Sequence, residues 1–214
     1  MSASSEVGWV AAELEQEFPG LGLRFVNCAV SAGRSPPGIR ERLATLSSRF
    51  RGARAMTLRR EDVPAAFRVF FHHIGLDPDV ARTPIEQAAF DRLMAGRFRT
   101  GGLLQDALLI ALLETSVAVW ALDGQSVEGP LGIRPAIEGE TLGGEPGGFE
   151  LPAGRLVVAD ASAPVAVLFG DLSPVHAVHE ATGNATLFAV QVAGVSALHL
   201  DEALWTAESV LGAG

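Results

Sequence analysis

Apolar residues recur three and four positions apart through most of the first half of this chain, whereas beyond residue 116 they gather in short runs separated by Gly and Pro. The first spacing belongs to helices with one buried face and the second to strands. Val7, Val10, Ala11 and Leu14 share one face of a helix predicted over 5–18, which Pro19-Gly20 ends. The segment 21–30 alternates as a strand, and Ser35-Pro36-Pro37 opens a helix running to about residue 50. Asp62-Val63-Pro64 opens another that ends near Gly75. Thr83-Pro84-Ile85-Glu86 opens a fourth, with Thr83 as its N-cap. An apolar run over 103–113 makes a fifth.

Strands are predicted near 117–121, 131–134, 155–159, 164–169 and 186–192, and a helix over 199–211 carries Leu200, Ala203, Leu204, Ala207 and Leu211 on a face that would cover a sheet. Helices first and strands later indicate an α+β fold in which a helical N-terminal half packs on a mixed or antiparallel sheet. Without a long linker, residues 1–214 read as one unit. Gly143 to Gly148 is a loop rather than a boundary. It lacks the Lys and Ser/Thr of a phosphate-binding loop.

With 214 residues, 48% hydrophobic and 19% charged, the composition is globular and the chain long enough to bury a large core. The single cysteine, Cys28, excludes an internal disulfide framework and suits a reducing compartment, where its default role is that of a small buried hydrophobe. The acidic N-terminal segment is unlike a signal peptide, and the run over 103–113 is too short and too polar, with Gln105 and Asp106, to span a bilayer. A cytoplasmic protein without a membrane partner is expected.

Charge is more informative split than summed. Residues 1–100 hold 14 arginines against 11 acids, residues 101–214 only 2 against 14, and the net charge is −9. Arg40, Arg42, Arg49, Arg51, Arg54, Arg59 and Arg60 form a cluster interrupted only by Glu41. Guanidinium groups suit bidentate phosphate contact, and Arg51, Arg54 and Arg59 are the phosphate-binding candidates. The commoner reading of such a run is a solvated helix face paired with acids elsewhere. A net-acidic chain repels a phosphate backbone, and no aromatic residues interleave the arginines for base stacking, so DNA is not an expected partner.

One stretch combines a short apolar strand at 117–121, the turn Asp123-Gly124, a second strand ending at Arg134, and Gly139-Glu140. Around it stand Phe67-Arg68, Gly75, Asp77-Pro78, Arg82, Pro84, Glu86, Arg92 and Gln105-Asp106 on one side. On the other stand Gly129, Ala136, Val157 to Asp160, Phe169-Gly170-Asp171, Thr182 and Asn184. In order and spacing these segments, from about 67 to 193, resemble the B3/B4 tRNA-editing domain of the phenylalanyl-tRNA synthetase beta subunit and the free-standing proteins built on it. The resemblance implies that fold and a pocket for an aminoacyl group, lined by Trp120, Ala136, Val167, Gly170 and Thr182. Asp171 stands for the pocket carboxylate as the catalytic candidate, and His176 and His179 lie at the mouth. It implies that the protein recognises an aminoacyl-tRNA or a related amino-acid conjugate, with hydrolysis of a mischarged ester as the activity.

The chain departs from that pattern where Trp120 replaces a His, Ala166-Val167 a paired glycine, and Leu109 and Leu112 an Asn and a Ser. The Trp and paired-glycine changes line the expected pocket with apolar groups, which favours the alternative of a non-catalytic amino-acid or small-molecule binding module on the same fold, whereas the arginine cluster favours the editing reading. His176, His179 and Glu180 are otherwise the most suggestive cluster. Two histidines without a third and fourth ligand are a weak metal signal, so no metal and no cofactor are assigned. His72-His73, on an amphipathic helix, read as structural. The sequence leaves the oligomeric state open.

Overall fold

A computed structural model describes residues 4–50, 52–144 and 148–213. It begins with a departure from the predicted pattern: the helix expected over 5–18 is only α1 (Ala12–Glu17), preceded by two short strands, β1 (Glu6–Val7) and β2 (Trp9–Val10). Gly8 between them explains why. Its N–H bonds the Leu23 carbonyl at 2.8 Å, and a Cβ there would stand 2.6 Å from the Leu131 carbonyl oxygen and from the Leu23 side chain. Only glycine lets the chain cross that gap. The crossing feeds β1 into one sheet and β2 into another.

The first sheet has the order β1, β3 (Gly22–Ala29), β10 (Asn184–Gln191), β4 (Val119–Asp123), and all its pairs are antiparallel. The second has the order β2, β5 (Gly132–Pro135), β8 (Leu156–Ala159), β9 (Pro164–Val167), antiparallel except for β2 beside β5. A two-stranded ribbon, β6 (Thr141–Leu142) with β7 (Phe149–Glu150), flanks the glycine-rich loop, whose residues 145–147 lie outside the described ones. α7 (Ala197–Leu211) packs against β10, β3 and α6 (Leu103–Thr115). Because β10 is covered on both faces, six consecutive residues of it are buried, apolar except for Thr186, whose hydroxyl donates to Asn27 Oδ1 at 2.7 Å. Cys28 is buried in β3, where burial first and Glu208 second push its thiol up to about 11.

The remaining helices come from the arginine-rich half, an α+β arrangement whose first half also supplies a central strand. α2 (Pro37–Arg49) buries Ile39, Leu43 and Leu46 at helical spacing. A short α3 (Gly52–Thr57) and a 3₁₀ turn, Leu58–Arg60, lead into α4 (Asp62–His73). Phe67, Phe70 and Phe71 of α4 surround Phe169, with ring centroids 5.2–5.9 Å apart. Phe169 has φ 57°, a left-handed conformation costly for a side chain of its size, and those rings hold it there. Among the described residues no helix is long and apolar enough to cross a membrane.

α5 (Pro84–Ala95) starts as its cap residues predict. Thr83, with no exposed surface, donates its hydroxyl to Glu86 at 2.8 Å, and the same carboxylate accepts the Thr83 N–H at 3.3 Å. Arg68 clamps Glu86 at 2.7 Å and Asp79 at 2.8 Å, tying α4 to the start of α5. Thr83→Ala is expected to lower the unfolding free energy by about 1–2 kcal/mol, read as a shift of the urea midpoint at constant slope.

Candidate functional site

At the C-terminal end of β4 the chain must turn, and Asp123 organises the turn. Its Oδ1 accepts the Gln125 N–H at 3.1 Å, and its Oδ2 accepts the Thr182 hydroxyl at 3.1 Å. His179 Nε2 approaches that same oxygen at 3.1 Å. The Gln125 N–H, then Thr182 and His179, hold the Asp123 carboxyl below its usual range against the opposing effect of burial. Antiparallel pairing of β4 with β10 sets Ala185 opposite Asp123, which brings Thr182 within reach from a position 59 residues away.

The 179–182 turn closes on itself, because the Thr182 hydroxyl accepts the His179 N–H at 3.1 Å and the Thr182 N–H bonds the His179 carbonyl at 3.0 Å. His179 Nδ1 accepts the Ala181 N–H at 3.2 Å, so its proton belongs on Nε2, facing Asp123. Both ring nitrogens are therefore committed. His179, Glu180 and Thr182 form one wall of a groove of about 350 Å³, with Ser31 to Gly33 and Gly101 to Gln105 opposite.

Asp106, 1% exposed, holds that far wall together. It accepts the Ser35 hydroxyl at 2.6 Å and the Gly101 N–H at 2.9 Å, while the Leu103 N–H bonds the Gly33 carbonyl at 3.0 Å. Gly102, at φ 118°, is the N-cap of α6, and a Cβ there would stand 3.2 Å from the Gly33 oxygen. The groove thus meets the N-terminus of α6, whose partial positive charge favours a carbonyl or carboxylate oxygen. Glu180 supplies a carboxylate for a cation, and Gln105 an amide able to donate and accept. The Gly-Gly pair ahead of an apolar helix is the sequence signal for this wall, which stands apart from the surroundings of Trp120.

The residues assigned from the sequence distribute over several places. Trp120 stacks on Phe188 with centroids 5.5 Å apart and meets Phe169 edge-on at 5.7 Å, so its ring packs inside the aromatic cluster. Ala136 and Val167 join a small apolar cluster with Leu142, Leu151, Val157 and Ala159. Gly170 and Asp171 are exposed, and the Asp171 carbonyl accepts the Val167 N–H at 2.9 Å. Thr182 and His179 belong to the groove. His176 is buried instead, its Nδ1 2.8 Å from the Ser173 hydroxyl and its Nε2 3.9 Å from Asp160. The two histidines thus turn to different carboxylates, and among the described residues no group of three or more His, Cys, Asp or Glu is placed to hold a metal.

Arg51 lies outside the described residues. Arg54 sits over the Phe50 ring at 4.9 Å and 3.9 Å from Glu61, and Arg59 lies 3.8 Å from Asp79. Arg134 and Glu140 form a two-pronged pair, one prong at 2.8 Å, and Glu140 also accepts the Ile137 N–H at 3.0 Å. Arg134 first, and then the Ile137 N–H, hold the Glu140 carboxyl below its usual range despite partial burial. No protein-family model and no curated protein matches the chain.

Proposed function

We propose that this chain is a free-standing protein of the phenylalanyl-tRNA synthetase editing-domain type, with the B3/B4 fold as the finer form of its α+β architecture. It recognises aminoacyl-tRNA or a related amino-acid conjugate, whose amino-acid end enters the groove beside His179. The observation that carries the reading is what the resembling residues do. Asp106 ties residues 35 and 101 together, Asp123 holds Gln125 and Thr182, and Arg134 with Glu140 holds Ile137. Buried and half-buried polar groups are tolerated where they are paired, so these residue types at these spacings are accounted for by the loops they fasten. The groove offers Glu180 to an α-ammonium group and the α6 N-terminus to an ester carbonyl, the two polar ends of an aminoacyl group.

The second reading, a non-catalytic binding module, is favoured by two observations. The Trp120 ring packs among Phe169 and Phe188, and both His179 nitrogens are engaged, leaving that imidazole no free lone pair to activate water. In the hydrolytic version, purified protein accelerates loss of tyrosine from Tyr-tRNA for phenylalanine by about tenfold or more over the uncatalysed rate. In both versions Gln105→Ala and Glu180→Ala weaken binding of a non-hydrolysable aminoacyl-adenosine analogue by about tenfold. Binding without turnover across a panel of mischarged tRNAs selects the non-catalytic version. Neither binding nor turnover rejects both.

A further inference from the structure

We propose that a second cleft, between the end of α5 and the middle of α6, binds the phosphate of a small phosphate monoester. The cleft has a volume of about 480 Å³, in the range of roughly 300–1,000 Å³ usual for small-molecule sites. Arg92, Arg97 and Arg99 line it over an apolar floor that includes Phe98 and Leu109. Phe98 fixes the segment: it is buried, meets Phe50 edge-on at 5.5 Å, and gives its N–H to the Ser47 hydroxyl at 3.3 Å. With that residue pinned, Arg97 and Arg99 stand on either side of it, exposed at the cleft.

Among the described residues neither Arg97 nor Arg99 has a hydrogen-bond or ion-pair partner, although the chain carries a net charge of −9. Arg42, Arg54, Arg59 and Arg68 all face carboxylates. Arg92 is anchored through its Nε to the Ser47 carbonyl at 3.1 Å. Among the described residues the one carboxylate lining the cleft is Asp91, which accepts the Gln87 amide at 2.7 Å. The C-terminal end of α5 contributes about half a negative charge and Asp91 a full one, which three guanidinium groups together exceed. A phosphate monoester carries about −1.5 to −2 charges and three acceptor oxygens, matching a pair of unpaired guanidinium forks. A long polyanion fits less well, because the acidic second half of the chain repels it. The inference stands on Arg97 and Arg99, independently of what the groove beside His179 takes.

Titration calorimetry with AMP and phenyl phosphate, against adenosine and phenol as phosphate-free controls, tests it. Both monoesters are expected to bind about tenfold or more tightly than their controls, and Arg97→Gln/Arg99→Gln to lose that advantage. Arg54→Gln/Arg59→Gln, whose arginines already face acids, keeps it. The replaced arginines are exposed, so an unchanged urea midpoint verifies the fold of each variant. The proposal is overturned if the wild-type chain binds neither monoester, if the controls bind equally well, or if the Arg97/Arg99 variant is unaffected. Tighter binding of a short oligouridylate, with a salt dependence spanning several phosphates, overturns it in favour of an RNA strand.

Discussion

Asp160→Ala is expected to lower the unfolding free energy by about 2–4 kcal/mol, because it orphans several donors aimed at one carboxylate. Asp160 Oδ2 accepts the Glu128 N–H at 2.8 Å, and Oδ1 accepts the N–H groups of Ser162 and Ala163 at 2.8 and 2.9 Å and the Ser162 hydroxyl at 3.0 Å. The residue is 4% exposed. Its carboxylate joins the turn between β8 and β9 to the loop ahead of β5, so alanine loosens both. Burial would raise its pKa, but the N–H groups of Glu128, Ser162 and Ala163 outweigh that and hold it below the usual value. A carboxyl depressed in the folded state adds stability above its unfolded pKa of about 3.9, and that stability is lost as pH falls through the folded value. Urea unfolding at neutral pH should therefore separate wild type from Asp160→Ala, with the gap narrowing below about pH 4. An equal midpoint at neutral pH would remove Asp160 from its role as a clamp.

Phe188→Ala is expected to cost about 3–5 kcal/mol, since it empties the middle of β10 where the surrounding packing cannot close. The ring is 2% exposed, stacks on Trp120 at an interplanar angle of 15°, and sits in register opposite Phe25 on β3. Its loss also removes support from the Trp120 ring and, through it, from Phe169. The transition temperature should fall by roughly 6–20 °C for a chain of this size. Trp205, 57% exposed on α7, is the matched control. Its replacement by alanine should move stability by less than about 0.5 kcal/mol. If the two variants shift the transition equally, the Phe188 ring does not support the core in this way.

How far the sequence could be read depended on the range of the interaction. Thr83-Pro84 and Glu86 specify the start of α5 through a bond that spans three residues, and that start stands where the residues predicted it. The apolar face of α7 was legible from spacing alone, and β10 from a short, mostly apolar run bounded by Gly183-Asn184 and Gly194. The first helix was misread because Val7, Val10, Ala11 and Leu14 suit a helix, and nothing within those residues announces that Gly8 must pass between Leu23 and Leu131. The ribbon of β6 and β7 and the short α3 carry too few residues for a period to emerge.

The sequence by itself determined most of the local elements, the cap of α5, the lone cysteine and the charge asymmetry between halves. The tertiary structure decided which of those residues meet. Only the register of β10 against β4 brings Thr182 to Asp123, and only the packing of α4 around Phe169 closes rings about Trp120. The arginines make the same point: one composition yields Arg54 and Arg59 facing acids and, among the described residues, Arg97 and Arg99 without a partner. Periodicity and capping act over three or four residues, so the chain displays them directly. Partnerships across 59 residues depend on which loops close, and that is settled by the burial of the whole core at once.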